Sequence, residues 1–276
     1  MMLGFLQNFF DKHHLDCTAP ILLSDCRIER PYLLERAGIA DGTAILMAIP
    51  YYTPACDDPG RNLSAYAVPR DYHGFFKALF GELIPALEAA FPEHKFAGFA
   101  DHSPIAEVEA AAKAGLGVIG KNHLLITEKY SSYIFLGEVV TDAILPCKTG
   151  EKSTCLDCGA CMRACPADKI GTCLSALTQQ KGELSEEEEQ TILHYGSVWG
   201  CDICQEVCPY TKAAKAAGTL YSPIPYFRKE TIPVLTLDIL DHMDDETFAG
   251  RAYAWRTRKT IRRNLCLYEG NKGGRD

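Results

Sequence analysis

Residues 155–166 read CLDCGACMRACP, so four cysteines are separated by two, two and three positions and the last one precedes a proline. This spacing lets a loop fold around one face of a 4Fe-4S cluster and sends its fourth thiolate to a second cluster. A second run, GCDICQEVCP at residues 200–209, supplies three more thiols at Cys201, Cys204 and Cys208. The two runs together predict two 4Fe-4S clusters.

Two clusters need eight ligands, one more than the seven thiols of the two runs. The nearest other cysteines are Cys173 and Cys147, and we choose Cys173 because it lies between the runs. A crossed pattern then gives each cluster four ligands. The first cluster would take Cys155, Cys158, Cys161 and Cys208, and the second would take Cys165, Cys173, Cys201 and Cys204.

A pair of structural zinc sites is the alternative, because CxxC pairs also suit tetrahedral zinc. The triple cysteine spacing and the proline after each run favour clusters. The isolated cysteines Cys17, Cys26, Cys56 and Cys266 are predicted to be apolar packing rather than ligands.

The composition bounds the class of protein. The chain has 276 residues with 28 basic and 36 acidic side chains, a net charge of -8, so the molecule as a whole is not expected to attract nucleic acid or anionic lipid. The N-terminus has no secretory pattern, and no window reaches the roughly 18 apolar residues of a membrane span. Thirteen cysteines without an export signal indicate a reducing compartment. We therefore expect a cytoplasmic protein that does not bind a membrane.

Strands alternate with helices in the first half of the chain. Residues 43–52, TAILMAIPYY, predict a buried strand, and residues 71–91 predict a helix. A short strand, KFAGFA, then leads to Asp101, after which Ser103 as N-cap and Pro104 at the first helical position are expected to open the next helix. This alternation predicts an α/β or α+β fold.

Three consecutive segments are expected from these patterns. Residues 1–146 would form the α/β domain, residues 147–218 a ferredoxin-like double-cluster module, and residues 219–276 a C-terminal helical segment. Within the module, the acidic run after Ser185 predicts the first turn of a helix.

The glycine-rich run GLGVIG, residues 115–120, matches GxGxxG and, with Lys121 and Asn122, nearly matches a P-loop. Both nucleotide interpretations fail, because the run follows a helix rather than a strand and Asn122 replaces the Ser or Thr that would bind magnesium. We expect these glycines to end a helix or to let the backbone pass close to something large and flat.

The sequence DYHG at residues 71–74 begins like the DxHxxG pattern that supplies a histidine to cobalt, but Phe76 stands where the second glycine is required. A histidine-ligated cobalamin is therefore not predicted. His73 is expected to be an ordinary helix histidine.

Several motifs taken together resemble the epoxyqueuosine reductases, which are cobalamin-dependent enzymes related to reductive dehalogenases. They are DHSPIAEVEAAAKAGLGVIGKN at 101–122, FLGEVVTD at 135–142, the first cysteine run, CLSALT at 173–178 and GCDICQEVCP at 200–209. The resemblance covers approximately residues 43–265. It implies a short form of the family that lacks the C-terminal helical-repeat domain.

The resemblance implies removal of the epoxide oxygen from epoxyqueuosine in tRNA, with two electrons and two protons consumed and water released. Cobalamin, without a histidine ligand from the protein, would perform the reduction, and the clusters would supply electrons one at a time. Asp101 would donate a proton to the oxygen as the C–O bond breaks, a reaction suited to a positioned carboxylic acid. The positions aligned with the corrin lining are Leu125, Leu136, Ser175, Cys201 and Asp202. The family's cluster ligands include the position of Cys173.

The partners expected from the resemblance are tRNA and an electron donor such as ferredoxin or flavodoxin. A basic stretch at residues 251–264 contains Arg251, Arg256, Arg258, Lys259, Arg262 and Arg263. These cations would contact tRNA phosphates, with Tyr253 and Trp255 able to stack on a base, or they would pair with the acidic protein surface. Both interpretations stay open on the sequence.

Two other functions are compatible with the residues. The first is a related cobalamin reductase that acts on a small molecule. The second is a two-cluster electron carrier that performs no chemistry of its own, and in that case Asp101 would be only an acid at the entry to a helix.

Overall fold

The structure, a computed structural model, describes residues 1–147 and 154–270. The strands are β1 Thr18–Leu22, β2 Thr43–Pro50, β3 Phe96–Phe99, β4 Val118–Ile119, β5 Leu125–Ile126 and β6 Ile134–Thr141. The helices are α1 Met2–Lys12, α2 Pro31–Ala37, α3 Tyr72–Ala90, α4 Glu107–Lys113, α5 Ala160–Ala164, α6 Ala167–Ile170, α7 Leu174–Thr178, α8 Glu186–Tyr195, α9 Ile203–Glu206, α10 Pro209–Ala216, α11 Pro225–Arg228, α12 Leu237–His242, α13 Asp245–Ala249 and α14 Thr257–Gly270.

The chain divides into two compact units, each assembled from separate segments. The sheet unit comprises Met1–Pro50, Tyr72–Gly159 and Pro209–Ile224, and the cysteine unit comprises Tyr51–Asp71, Ala160–Cys208 and Pro225–Asp276. The functions assigned to the predicted segments 1–146, 147–218 and 219–276 stay predictions. The boundaries of the two units differ from those of the predicted segments. One reason is that α10 belongs to the sheet unit, where the buried hydroxyls of Thr211 and Ser131 lie 2.7 Å apart.

The sheet unit is built on a four-stranded sheet in the order β1-β2-β6-β3. Every pairing in it is antiparallel, with Ile45 opposite Val139 in the central pair. All residues of β2 are buried, which agrees with the strand predicted for residues 43–52. The mixture of helices and sheet confirms the predicted fold class, and the antiparallel pairing makes the sheet unit α+β.

Helix α3 agrees closely with the helix predicted for residues 71–91. It buries Phe75, Phe76, Leu79 and Leu83 on one side, and it contacts β3. Within residues 1–147 and 154–270, no helix combines the length and the apolar character needed to cross a bilayer.

The prediction that Ser103 caps a helix with Pro104 at its first position is wrong. Helix α4 begins at Glu107 and its N-cap is Ala106. The Ser103 hydroxyl instead donates to buried Glu138 on β6 and accepts a hydrogen bond from the Ile105 N–H at 3.1 Å. The buried carboxyl needs a donor, which Ser103 supplies, and the chain between β3 and α4 is therefore a separate loop.

The glycine-rich run leads into a hairpin made of β4 and β5. Gly115 has φ +83° just after α4, a left-handed conformation that glycine adopts without strain. A Cβ on Gly117 would lie 2.4 Å from the carbonyl oxygen of Ile126 on β5. The structure thus agrees with the prediction that these glycines end a helix, and the close approach at Gly117 is to the backbone of β5.

In the cysteine unit, α8 begins as the acidic run predicted. The Ser185 hydroxyl accepts from the Glu188 N–H at 3.3 Å, while the Glu188 carboxylate accepts from the Ser185 N–H at 2.7 Å, which forms a capping box. Helix α14 is held to the loops near α7 by Asn264, whose buried amide donates to the carbonyls of Thr178 and Val198 at 2.7 and 2.9 Å.

Candidate active site and cluster-binding loops

Asp101 lies in the loop between β3 and α4, and its side chain is 69% exposed. Its backbone has φ +66°, a region that aspartate visits more readily than most L residues but that is uncommon. Unusual backbone conformations concentrate at functional sites. Asp101 is therefore held in a specific conformation with its carboxyl accessible to a ligand.

His73, in the first turn of α3, lies beside Asp101. Its Nε2 atom is 3.8 Å from Oδ2 of Asp101. The sequence predicts an ordinary helix histidine at position 73, because the only pattern around it is the incomplete cobalt motif. Its pairing with Asp101 depends on a tertiary contact between α3 and the end of β3, which no local sequence pattern reveals.

Stacked aromatic rings lie next to this pair. The ring of Tyr72 stacks on Phe135 of β6 at 4.2 Å with an interplanar angle of 17°, and the rings of Tyr72 and His73 are also 4.2 Å apart. Tyr72 and Phe135 are partly exposed. An accessible acid beside flat rings suits a ligand that has both a polar reacting group and a broad apolar face.

The segment before α2 fixes the loop that carries Asp101. The guanidinium of Arg30 donates to the Ser103 carbonyl at 2.9 Å. The Pro104 carbonyl accepts from the N–H groups of Glu29 and Arg30 at 2.8 and 3.1 Å. These bonds anchor the part of the loop that follows Asp101.

Two acids lie near this loop. Glu138 is fully buried and Glu107 is partly buried. Burial raises the pKa of Glu107 to about 7. The pKa of Glu138 lies well above its usual range, mainly because of burial and then because of the charge of Glu107. Burial thus favours the protonated form of both acids.

Of the residues predicted to line a corrin, Leu125 and Leu136 lie in the sheet unit, and Ser175, Cys201 and Asp202 lie in the cysteine unit. In the sheet unit, Leu125 is buried in the core cluster that contains Leu46 and Val140, and Leu136 packs against the same cluster. In the cysteine unit, the Ser175 hydroxyl accepts from the Gln179 amide at 2.9 Å.

The carboxylate of Asp202 is occupied by bonds inside the cysteine unit. It accepts from the Ser64 hydroxyl at 2.5 Å, from the guanidinium of Arg61 at 2.6 Å and from the Ala65 N–H at 2.7 Å. This carboxylate thus fastens the segment around Ser64 to the second cysteine run. Any contact of Asp202 with a cofactor would use its backbone.

Gly200, directly before Cys201, is required by packing in the same place. It has φ +75°, and a Cβ there would lie 2.4 Å from Cβ of Ser64.

A cavity of about 120 Å³ is lined by Arg61, Leu174 and Cys201, among others. It is smaller than the roughly 300 Å³ of an ordinary small-molecule pocket, so a corrin would not fit inside it.

Parts of both cysteine runs lie in the cysteine unit, whereas Cys155 and Cys158 belong to the sheet unit. Helix α5 carries Cys161, helix α9 carries Cys204, and the two helices pack against each other. Cys173 is the N-cap of α7. None of the thirteen cysteines, all of which lie within the described residues, forms a disulfide.

Three predicted ligands of the second cluster are electrostatic neighbours. Burial raises the pKa of Cys201 to about 12, and Asp202, Cys204 and Cys173 add to the rise. Three neighbouring thiolates would repel one another without a cation, so this donor set fits a site where positive iron stabilises them. Within residues 1–147 and 154–270, no three side chains of His, Cys, Asp or Glu lie close enough together to hold one metal ion.

The first cysteine run has its own anchor in the sheet unit. Asp157, between Cys155 and Cys158, has φ +54°, and its carboxylate lies 2.6 Å from the ammonium of Lys121. Lys121 belongs to the turn between β4 and β5. The turn that resembled a P-loop therefore positions a cysteine loop.

The basic stretch is partly structural. Arg251 is buried, with 4% exposure. Arg258 donates to the carbonyls of Leu240 and Met243 at 2.9 and 2.7 Å, and Arg263 donates to the carbonyls of Gln180 and Gly182 at 3.0 and 2.6 Å. These three arginines hold segments of the cysteine unit together.

The other cations of the stretch are more accessible. Arg262 pairs with Asp241. Lys259 is exposed, and the guanidinium of Arg256 lies 3.7 Å above the ring of Trp255, whose exposure is 60%. The stretch thus presents the exposed ring of Trp255 beside positive charge. Other cations of the stretch are already engaged in contacts within the protein.

Replacing Arg61 with alanine is expected to lower the free energy of unfolding by about 2 to 4 kcal/mol, because the buried carboxylate of Asp202 would lose its charged partner. The Arg61 side chain is 14% exposed and that of Asp202 is 3% exposed, so water would not replace the lost bond. Urea unfolding measures the change. Arg70→Ala is the control, since its exposed pair with Glu230 at 3.5 Å contributes less than about 1 kcal/mol. Equal losses in both variants would contradict this account.

Comparison with known proteins identifies the cysteine region and the fold. A family described as a 4Fe-4S double cluster binding domain matches residues 154–211, which confirms the prediction of two 4Fe-4S clusters. The epoxyqueuosine reductase of Streptococcus thermophilus has a similar structure, with a TM-score of 0.80 and 22% identity, over 99% of this chain and 82% of that one. A crystal structure of epoxyqueuosine reductase with an epoxyqueuosine-modified tRNA-Tyr stem loop is similar over 97% of this chain and 81% of that one, with a TM-score of 0.76 and 21% identity.

Curated relatives give the family. The epoxyqueuosine reductase of Lactococcus garvieae is 32% identical over 74% of this chain, and the match spans 60% of the relative's own length. The epoxyqueuosine reductase of Gloeobacter violaceus is 31% identical over 80% of this chain and 71% of its own length. The chain belongs to the epoxyqueuosine reductase family.

Proposed function

We propose that this protein removes the epoxide oxygen from epoxyqueuosine in tRNA, with Asp101 as the proton donor. The observation that carries the proposal is the accessible carboxyl of Asp101 beside His73, at the end of β3, in a chain of this family. The reaction consumes two electrons and two protons and releases the oxygen as water.

Asp101 would act on the epoxide oxygen. Cleavage of an epoxide C–O bond builds negative charge on that oxygen, and a carboxylic acid in contact with it can donate a proton as the charge develops. His73, 3.8 Å from the carboxyl, is placed to return a proton to Asp101 after transfer. The loop bonds of Arg30 would keep the acid in place.

Cobalamin is proposed as the cofactor that performs the reduction. The partly exposed rings of Tyr72 and Phe135 beside Asp101 suit a macrocycle with a broad apolar face. Leu125, Leu136, Ser175, Cys201 and Asp202 would line it, with Asp202 contributing through its backbone. No histidine of the chain is assigned to cobalt. The 4Fe-4S clusters would deliver electrons, and ferredoxin or flavodoxin would supply them.

The crossed set of cluster ligands is proposed on the cysteine count. The matched stretch 154–211 contains eight cysteines, the number that two clusters need, and Cys147 lies outside it. This supports Cys173 as the eighth ligand.

We propose that tRNA contacts the exposed part of the basic stretch around Trp255 and Lys259. Trp255→Ala is expected to weaken binding of a modified stem loop by about 10-fold, because stacking on a base contributes roughly 1 to 3 kcal/mol. Fluorescence anisotropy measures the affinity. Trp255→Phe keeps a flat ring and is expected to bind within about threefold of the unchanged protein. Unchanged affinity in Trp255→Ala would remove this surface from the interface.

A small-molecule substrate remains the second candidate, because Arg251, Arg258 and Arg263 are already used inside the protein. The deciding experiment uses anaerobically prepared protein that contains its clusters and cobalamin and has been reduced. Adding the epoxyqueuosine-modified stem loop is expected to reoxidise the clusters, seen as recovery of their visible absorption, whereas the unmodified stem loop has no effect. Reoxidation by the free epoxyqueuosine nucleoside alone would favour the small-molecule reductase. Reoxidation by neither compound would favour an electron carrier.

A further inference from the structure

The loop that carries Asp101 lies along the chain segment that leads into α2. The Ala106 N–H donates to the Arg27 carbonyl at 3.0 Å, and Ile28 forms an antiparallel bridge with Ile105. These contacts lie on the C-terminal side of Asp101. They therefore hold the end of the loop but do not by themselves fix the backbone of the acid.

Asp101 is the central residue of a tight turn that follows β3. The His102 N–H donates to the Ala100 carbonyl at 2.7 Å, so a three-residue turn closes around Asp101. With φ +66° at its centre, this is a γ-turn of the form with positive φ, which is rare and strained. A strained conformation persists only where the surrounding contacts enforce it. The turn therefore needs a tether close to Asp101.

The hydroxyl of Tyr32 supplies a contact directly beside Asp101. It lies 2.6 Å from Nε2 of His102, and the centres of the two rings are 6.2 Å apart. A hydroxyl both donates and accepts hydrogen bonds, so either tautomer of the imidazole forms this bond. Because the backbone of His102 closes the γ-turn, a bond to its side chain restrains the turn directly.

Helix α2 gives this hydroxyl a fixed position. Tyr32 follows Pro31, the first residue of the helix, whose ring fixes φ at the helix start. Leu34, two residues further on, is buried in the core cluster that also contains Ile105. The tyrosine therefore reaches the turn from a helix that is anchored in the core of the sheet unit.

We propose that Tyr32 and His102 are positioning residues, whose hydrogen bond holds the γ-turn in the form that presents the Asp101 carboxyl to the epoxide oxygen. Donation by Asp101 rests on the proposed function. The restraint on the turn is a property of the fold and can be measured without turnover. Neither side chain needs to contact the substrate for this role.

Loss of the bond should act on the turn rather than on the whole fold. Tyr32 is 51% exposed and His102 is also exposed, so water replaces the lost partner. An exposed hydrogen bond therefore contributes little to global stability. Without its tether, the strained turn gives way to commoner backbone conformations of Asp101. Thermal unfolding should thus stay the same while the turn becomes more mobile.

The experiment uses variants of the full-length protein containing its cofactors. Tyr32→Phe removes the hydroxyl and keeps the ring. His102→Ala removes the other partner, whereas His102→Gln carries a side-chain amide that can bond the hydroxyl. His242→Ala is the matched control, because this exposed histidine on α12 lies away from the turn in sequence, with its Nδ1 3.2 Å from the carboxylate of Asp238.

Millisecond hydrogen exchange of the backbone amides at residues 100–103 reports the turn, and kinetics on the modified stem loop report function. Tyr32→Phe and His102→Ala are each expected to speed exchange by about 3- to 10-fold, the effect of one hydrogen bond. Each should lower kcat by about the same factor, with KM within about twofold. The double variant should lose no more than either single variant, since both break the same bond. His102→Gln should recover most of the loss, and His242→Ala should behave like the unchanged protein.

Three results would overturn the proposal. Unchanged exchange at residues 100–103 in Tyr32→Phe and His102→Ala would show that the bond does not restrain the turn. Additive losses in the double variant would show that the two side chains act separately. A raised KM with unchanged kcat and unchanged exchange would make Tyr32 a substrate contact instead.

If His102→Ala does not fold, Tyr32→Phe decides alone, because it deletes only one exposed oxygen atom. Failure of the proposed function has a different signature. Faster exchange in the single variants, with no turnover of any stem loop by the unchanged protein, would refute the proposed function and leave the restraint on the turn standing.

Discussion

Asp101→Asn is expected to lower turnover of epoxyqueuosine in tRNA by about 10²- to 10⁴-fold, the usual contribution of a general acid. Asparagine keeps the size of the side chain and accepts the same left-handed backbone conformation, so the loop bonds of Ser103 and Pro104 should survive. It cannot give a proton to a developing alkoxide. The loss should therefore appear in kcat, while cluster content, cobalamin content and affinity for the stem loop stay unchanged.

Asp11→Asn is the control for this variant. Asp11 is an exposed acid on α1 whose carboxylate accepts from the Gln7 amide at 2.8 Å. It should turn over at the rate of the unchanged protein. Turnover by Asp101→Asn at the rate of the control would remove Asp101 from the reaction and return it to an acid at a loop.

Cys173→Ser is expected to lower bound iron by about half and to stop turnover, because the second cluster would lose one of its four thiolates. The neighbouring Cys201 packs against the small core of Leu174, Leu177 and Ile192, so loss of the cluster should also destabilise the cysteine unit. Iron analysis and electron paramagnetic resonance of the reduced protein measure the cluster. Thermal unfolding measures the destabilisation.

Cys147→Ser is the matched control, since Cys147 was the other candidate for the eighth ligand. Its thiol lies 3.3 Å from the carbonyl oxygen of Leu145, a local bond in the sheet unit. This variant should keep both clusters and full turnover. Loss of iron in Cys147→Ser together with full iron in Cys173→Ser would reverse the assignment.

The features that sequence predicts well here are those fixed by local pattern. The buried strand β2, the helix α3 and the start of α8 after Ser185 all follow from periodicity or from the chemistry of a few neighbouring residues. The two clusters follow from cysteine spacing, because the geometry of a metal cluster constrains the loop that binds it.

Tertiary contacts explain what the sequence analysis missed. Ser103 was expected to cap a helix, but buried Glu138 on a distant strand takes its hydroxyl. His73 was set aside, yet the packing of α3 brings it beside Asp101. The number of cations in the basic stretch can be read from the sequence, but their accessibility cannot. Only the fold shows that Arg251 is buried and that Trp255 is exposed.

Local sequence patterns also do not show that each unit is built from segments that are not consecutive in the chain. Residues 51–71 join the cysteine unit through contacts such as the bridge between Leu63 and Trp199. The same segment supplies Arg61 and Ser64 to the carboxylate of Asp202. Such long-range pairings depend on burial and charge at sites far apart in the sequence.

The most direct measurement of the central claim is the mass of the modified nucleoside released from tRNA after anaerobic incubation with the reduced, cofactor-containing protein. We expect epoxyqueuosine to be converted to a nucleoside lighter by one oxygen atom, and Asp101→Asn to leave nearly all of it unconverted. An unchanged nucleoside mass after incubation with a protein whose clusters and cobalamin are fully loaded and reduced would contradict the account.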